Sequence, residues 1–128
     1  MSTLKQNIGY RQIPVTMVIE GHEISHCILD TGAMTCSAPD ALLREIGCEK
    51  VGTTQVGGAV GHTEVPVYEA FVGLKGLEGF GVEIEILGLP TSTALCGFNL
   101  IRHLDAINID VDKRSVTFWA NDKNAAHA

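Results

Sequence analysis

The chain has 128 residues, 45% hydrophobic and 19% charged, which fits one compact domain with a real core and excludes a disordered protein. A formal charge of −6 without any basic cluster excludes a nucleic-acid binder. No apolar run is long enough to cross a membrane, and Met1 to Asn7 lacks the apolar stretch of a signal peptide, so a soluble, cytoplasmic protein without a membrane partner is expected.

Residues 1–12 read as an N-terminal arm. From Ile13 to Ile19 the chain alternates loosely and is rich in β-branched residues, Glu20-Gly21 signals a turn, and Glu23 to Leu29 is again strand-like. This hairpin delivers Asp30 to its far end, and Pro14 suggests that the first strand starts there or lies at an edge. Alternation along the second strand would put His22 and His26 on one face and Cys27 on the other, which argues against a zinc site, and no metal or other cofactor is expected. Cys27, Cys36, Cys48 and Cys96 include no Cys-x-x-Cys pair, and Cys27 and Cys96 sit in apolar runs as small core residues.

The apolar run Cys27-Ile28-Leu29 ends abruptly at Asp30-Thr31-Gly32-Ala33. A carboxylate at the buried or half-buried end of a strand is costly unless it is satisfied, and a tight turn with backbone N–H groups and a hydroxyl can do that. Ser37 with Asp40 three residues on resembles a capping box, and Gly47 stands where a C-terminal cap belongs. A two-turn helix with Leu42, Leu43 and Ile46 on its apolar face is therefore predicted. Val51 to Val72 reads as a long hairpin whose middle, Val56-Gly57-Gly58-Ala59-Val60-Gly61, is glycine-rich. Val82 to Leu87 alternates apolar and acidic, and Leu95-Cys96-Gly97 is a short buried strand leading into a helical turn at Phe98-Asn99-Leu100-Ile101. The last strands are Ala106 to Val111 and Ser115 to Trp119, with Asp110 and Asp112 expected on the solvent face, solvated and not metal-binding. The end, 120–128, is a polar tail expected to be disordered.

The segment Cys27-Ile28-Leu29-Asp30-Thr31-Gly32-Ala33, with Thr35 and a helix after it, resembles the active-site loop of the aspartic proteases. The single Asp-Thr-Gly in a short chain is similar to the retroviral-type branch, the retropepsins. Leu95-Cys96-Gly97-Phe98-Asn99-Leu100-Ile101 fits the strand and helix that pack behind the catalytic loop there, with cysteine at a position more often aliphatic. The second half thus echoes the first, a hairpin running into a strand, a glycine turn and a helix.

The resemblance implies an all-β domain with one or two short helices over 13–119, a retropepsin-like β-barrel monomer pairing into a two-fold dimer. It implies Asp30 as the catalytic residue, Thr31, Gly32 and Ala33 as the rest of the active-site loop, and Leu95, Cys96 and Gly97 as its support. Val56, Gly57, Gly58, Ala59 and Val60 would form a flap over a bound peptide or protein substrate, in a groove that Ala33 and Leu87 help to line. Because the chain has only one such aspartate, a homodimer is needed to assemble a carboxyl pair. The expected activity is then that of an aspartic endopeptidase. The alternative is a catalytically silent dimer of the same fold serving as a binding or assembly module, although the intact Asp30-Thr31-Gly32-Ala33 favours the enzyme.

Overall fold

The computed structural model describes residues 2–9, 12–58 and 61–121. Ten strands and two short helices run in the order β1 (Ser2–Asn7), β2 (Pro14–Ile19), β3 (His22–Leu29), β4 (Cys36–Pro39), α1 (Asp40–Ile46), β5 (Glu49–Gly58), β6 (Gly61–Leu74), β7 (Val82–Leu89), β8 (Leu95–Cys96), α2 (Phe98–Ile101), β9 (Ala106–Asp110) and β10 (Ser115–Ala120).

Seven strands form one sheet in the order β2-β3-β8-β4-β7-β6-β5, and β2 also pairs with β6, which curls the sheet back on itself. The long β6 makes this possible: residues 61–69 pair with β5, 67–72 with β7, and Val72 to Leu74 with Ile19 to Met17 of β2. Strict alternation supplies the core. Val15, Met17 and Ile19 of β2 and Val82, Ile84 and Ile86 of β7 turn inward and are buried, as the period of two predicts. Emptying one of the fully buried positions, Met17 or Ile86, would leave a cavity costing about 2–5 kcal/mol.

The second sheet, β1-β10-β9, packs Val116 and Phe118 of β10 into the same core. Its first strand lies inside the segment read from sequence as an N-terminal arm. β1 is polar, but it pairs with β10 over its whole length and Leu4 packs on the core. β10 runs one residue further than expected, to Ala120, and the tail from residue 122 lies outside the described residues.

Three local expectations are corrected. Helix α1 begins at Asp40 with Pro39 at its N-cap and no side-chain cap. Ser37 is in β4, paired with Leu87 and Leu95, so the capping box does not form. The C-terminal end is as predicted: Gly47 adopts a left-handed conformation, φ 92°, and its N–H reaches the Leu43 and Arg44 carbonyls. In β3 the alternation breaks. Ile24 pairs with Met17 and Cys27 with Val15, so Ser25 and His26 bulge opposite Thr16, and His26 takes φ 61°. Ile24 and Cys27 therefore share the inner face, and His22, paired with Ile19, starts on that face too. The simple division of His22 and His26 from Cys27 does not hold. In the last hairpin Asp112 is exposed as expected, but Asp110 is half-buried and accepts the Lys113 N–H at 3.0 Å. The apolar Ile109 and Val111 are the exposed residues.

Candidate active site

Asp30 stands just past the end of β3, half-buried, where the strand runs beside β8. Ile28 and Leu29 pair in parallel with Leu95 and Cys96, and the Asp30 N–H continues the ladder to the Cys96 carbonyl at 3.0 Å. The chain then turns tightly. The Gly32 N–H donates to Asp30 Oδ1 at 2.9 Å, and the Ala33 N–H donates to the Asp30 carbonyl at 3.2 Å. The carboxyl group is thus fixed by a backbone donor two residues on, which is the satisfaction that its position required. Thr31 and Gly32 are exposed, and Ala33 is half-buried.

The support beneath the loop is dense. Phe98 and Asn99, at the start of α2, donate their N–H groups to the carbonyls of Ala33 and Met34 at 2.7 and 3.0 Å. Asn99 Oδ1 accepts the Cys36 N–H at 2.8 Å while its Nδ2 donates to the Glu85 carbonyl at 2.8 Å, so one amide ties α2 to β4 and β7. Gly97 leaves no room for a side chain, because an added Cβ would lie 2.5 Å from the Thr35 carbonyl carbon. Its N–H donates to Cys36 Sγ at 3.2 Å. Leu95 is half-buried, and Cys96 and Gly97 are fully covered.

Three free thiols, Cys27, Cys36 and Cys96, are buried in this layer. The hydrogen bond with Cys36, and then burial, push the Cys96 thiol well above the usual range, and burial pushes Cys27 up. Cys27 and Cys96 are neutral core groups, as the apolar runs around them predicted, whereas the hydrogen bond from Cys96 lowers the Cys36 thiol against the opposing effect of burial.

Asp30 opens onto a cleft of about 690 Å³. Ile8 and Ile13 from the chain before β2, Ile28 and Leu29 from β3, and Ile109, Val111 and Arg114 from the last hairpin line it. Sequence reasoning missed most of these residues. Ile28 could have been found as the neighbour of Asp30 in the strand, but nothing local announces that Ile109 and Val111 come to the same place from the far end of the chain. The hairpin β5–β6 forms as predicted, with Val56 half-buried and Gly57 exposed on one arm and Gly58 closing it. Val56, Gly57, Ala33 and Leu87 are not among the residues lining the cleft at Asp30. Ala59 and Val60, expected at the flap tip, lie outside the described residues.

Among the described residues no helix is long and apolar enough to cross a membrane, and no three His, Cys, Asp or Glu side chains gather as a metal site would require. No protein-family model matches the chain, and no curated protein does. Solved structures do. The chain is similar to the solution structure of the simian foamy virus (mac) protease, with a TM-score of 0.54 and 22% identity over 70% of this chain and 91% of that one. It is also similar to a crystal structure of a retropepsin-like aspartic protease from Rickettsia conorii, with a TM-score of 0.66 and 14% identity over 91% of this chain and 89% of that one. This mostly β chain with two short helices has the retropepsin-like fold.

Proposed function

We propose that the protein is an aspartic endopeptidase whose active site is assembled when two copies bring their Asp30 side chains together about a two-fold axis. The observation that carries this reading is the placement of Asp30. A lone carboxyl is held by the Gly32 N–H at 2.9 Å, anchored through its own N–H to Cys96, and turned toward an open cleft, not into the core.

One carboxyl cannot act as acid and base together. Two of them about one hydrogen bond apart cannot both ionise, so the pair shares one proton. The ionised member takes a proton from a water held between them as its oxygen attacks the scissile carbonyl carbon. The protonated member donates to the carbonyl oxygen, which stabilises the developing oxyanion. On collapse of the tetrahedral intermediate the carboxyl that took the water's proton gives it to the leaving nitrogen, and the C–N bond breaks. The other carboxylate takes back a proton from the intermediate's hydroxyl, which releases an acid and an amine and restores the singly protonated pair. Thr31 would fasten the two loops across the axis, Gly32 would leave room for the water, and Val56 to Val60 would close over the peptide.

The test is cleavage of a mixed peptide library by wild type and Asp30→Asn between pH ~4 and ~7, read by mass spectrometry. The two side chains are nearly isosteric, so the variant should keep fold and assembly and lose cleavage entirely. Cuts by the purified Asp30→Asn protein would remove Asp30 from the chemistry.

A further inference from the structure

The face of the large sheet that points away from the core is acidic along β5, β6 and β7. Glu49, Glu69 and Glu85 stand directly opposite one another on the three strands, and Glu83 stands opposite Phe71 two residues further along. Like charges placed directly opposite destabilise a sheet. Among the described residues none of these four carboxylates has a cationic partner, and Lys75, just past the end of β6, is paired with Glu23 at 3.0 Å. Burial, and then Glu20, Glu69 and Glu49, push the Glu83 carboxyl up.

An apolar groove of about 280 Å³ adjoins this row. Phe71 lines it together with Val18 of β2, which lies opposite Gly73, and with Phe80. Two glycines keep it open. A Cβ on Gly73 would lie 2.5 Å from the Phe80 carbonyl oxygen, and one on Gly81 would lie 2.5 Å from the Phe71 ring, so the ring rests over Gly81. Phe71 is still 44% exposed, although β6 is paired here with β7 on one side and β2 on the other. Carboxylates flank it on both sides. Glu83 is its cross-strand neighbour, and Glu20 Oε2 accepts the Phe71 N–H at 2.6 Å.

We propose that the groove and the carboxylates beside it form a docking surface for an extended basic segment of another polypeptide, with an aliphatic side chain in the groove and lysine or arginine side chains over Glu83, Glu69 and Glu85. Charge decides the occupant. A second copy would set the same carboxylates against themselves, and each copy already carries −6. A metal ion needs ligands that converge, and among the described residues no three His, Cys, Asp or Glu side chains do so. Carboxylates spread over three strands fit cations spread along a chain. Side chains two apart in an extended segment share one face at a spacing of about 6.6 Å, the interval that also separates Phe71 from Glu69 along β6. The groove shares no lining residue with the cleft at Asp30, so the proposal stands apart from the protease reading.

The experiment is fluorescence anisotropy of a labelled peptide, Lys-Ser-Lys-Ser-Leu-Ser-Lys-Ser-Lys, titrated at ~50 mM salt with the Asp30→Asn protein, which leaves the probe whole if the wild type cuts peptides. Saturable binding with a dissociation constant below about 1 mM is expected. Serine in place of the probe's leucine should weaken it about fivefold or more. Adding Glu69→Gln and Glu83→Gln to the protein should weaken it about tenfold or more. Those glutamines remove repulsion between strands, so the variant should fold as well as its parent, which circular dichroism verifies. No binding at about 1 mM would overturn the proposal. So would a glutamine variant that binds as tightly as its parent, since the peptide would then lie elsewhere, as in the cleft at Asp30. Equal affinity for the leucine and serine probes would overturn it as well, because the face would then collect any cation, a polyamine included, and the groove would hold no side chain.

Discussion

A Cβ added to Gly97 would lie 2.5 and 2.6 Å from the carbonyl carbon and oxygen of Thr35 and 2.8 Å from the Cys36 nitrogen. All three are backbone atoms, so no side-chain rotation can relieve the contact. The clash falls between the segment that carries Asp30 and the strand that supports it, because the Asp30 N–H is bonded to the carbonyl of Cys96, the residue just before Gly97. Gly97→Ala should therefore destabilise the protein by about 1–3 kcal/mol, the usual cost of overpacking, and should shift the carboxyl group as well. Urea unfolding gives the first, and a midpoint equal to that of wild type would show that the loop yields freely. The glycine was legible in the sequence as the end of a short apolar strand. Its steric reason was not, since Thr35 and Gly97 are 62 residues apart and meet only once β4 and β8 have paired.

Helix α1 shows how an element can look capped in sequence and be secured otherwise. Asp40, at its first turn, accepts the Tyr68 hydroxyl at 2.6 Å and pairs with Arg44 one turn on at 3.1 Å, which fastens the helix to β6. Burial, and then the Asp40 carboxylate, push the Tyr68 phenol up to about 12. The folded protein thus prefers neutral Tyr68, while an unfolded tyrosine titrates near 10. Its contribution is complete below pH ~10 and is lost as pH rises toward about 12. Tyr68→Phe should cost roughly 1–3 kcal/mol at neutral pH, and the difference from wild type in urea unfolding should shrink across that alkaline window. A difference that stays constant with pH would mean that the hydroxyl is not the coupled group. The elements that sequence pattern found best, β2 and β7, are those whose residues alternate without interruption. The bulge at Ser25 and His26 escaped because neither residue type advertises a positive φ, and β1 escaped because Ser2 to Asn7 is polar and becomes a strand only by pairing with β10. Ser37 misled for the same reason, since its local context suggests a cap while its partners, Leu87 and Leu95, are 50 and 58 residues away.

At the scale of the whole molecule, charge and apolar surface oppose each other. Each copy carries −6 at pH 7, so two copies of the proposed Asp30-paired dimer repel as they approach. That repulsion acts over a Debye length of about 10 Å at 0.1 M salt and is screened as salt rises, whereas apolar contact is not weakened by it. The proposed dimer should therefore tighten on adding salt at pH 7, by roughly threefold or more between ~20 and ~500 mM. The same change should have little effect near the isoelectric point, about 5.2, where the repulsion has gone. Mild acid then favours assembly for one reason and a singly protonated carboxyl pair for another, so a cleavage rate alone would confuse the two. Sedimentation across salt at the two pH values separates them. A dimer that weakens with added salt would instead be held by ion pairs between the copies, and burial of apolar surface would not be what joins them.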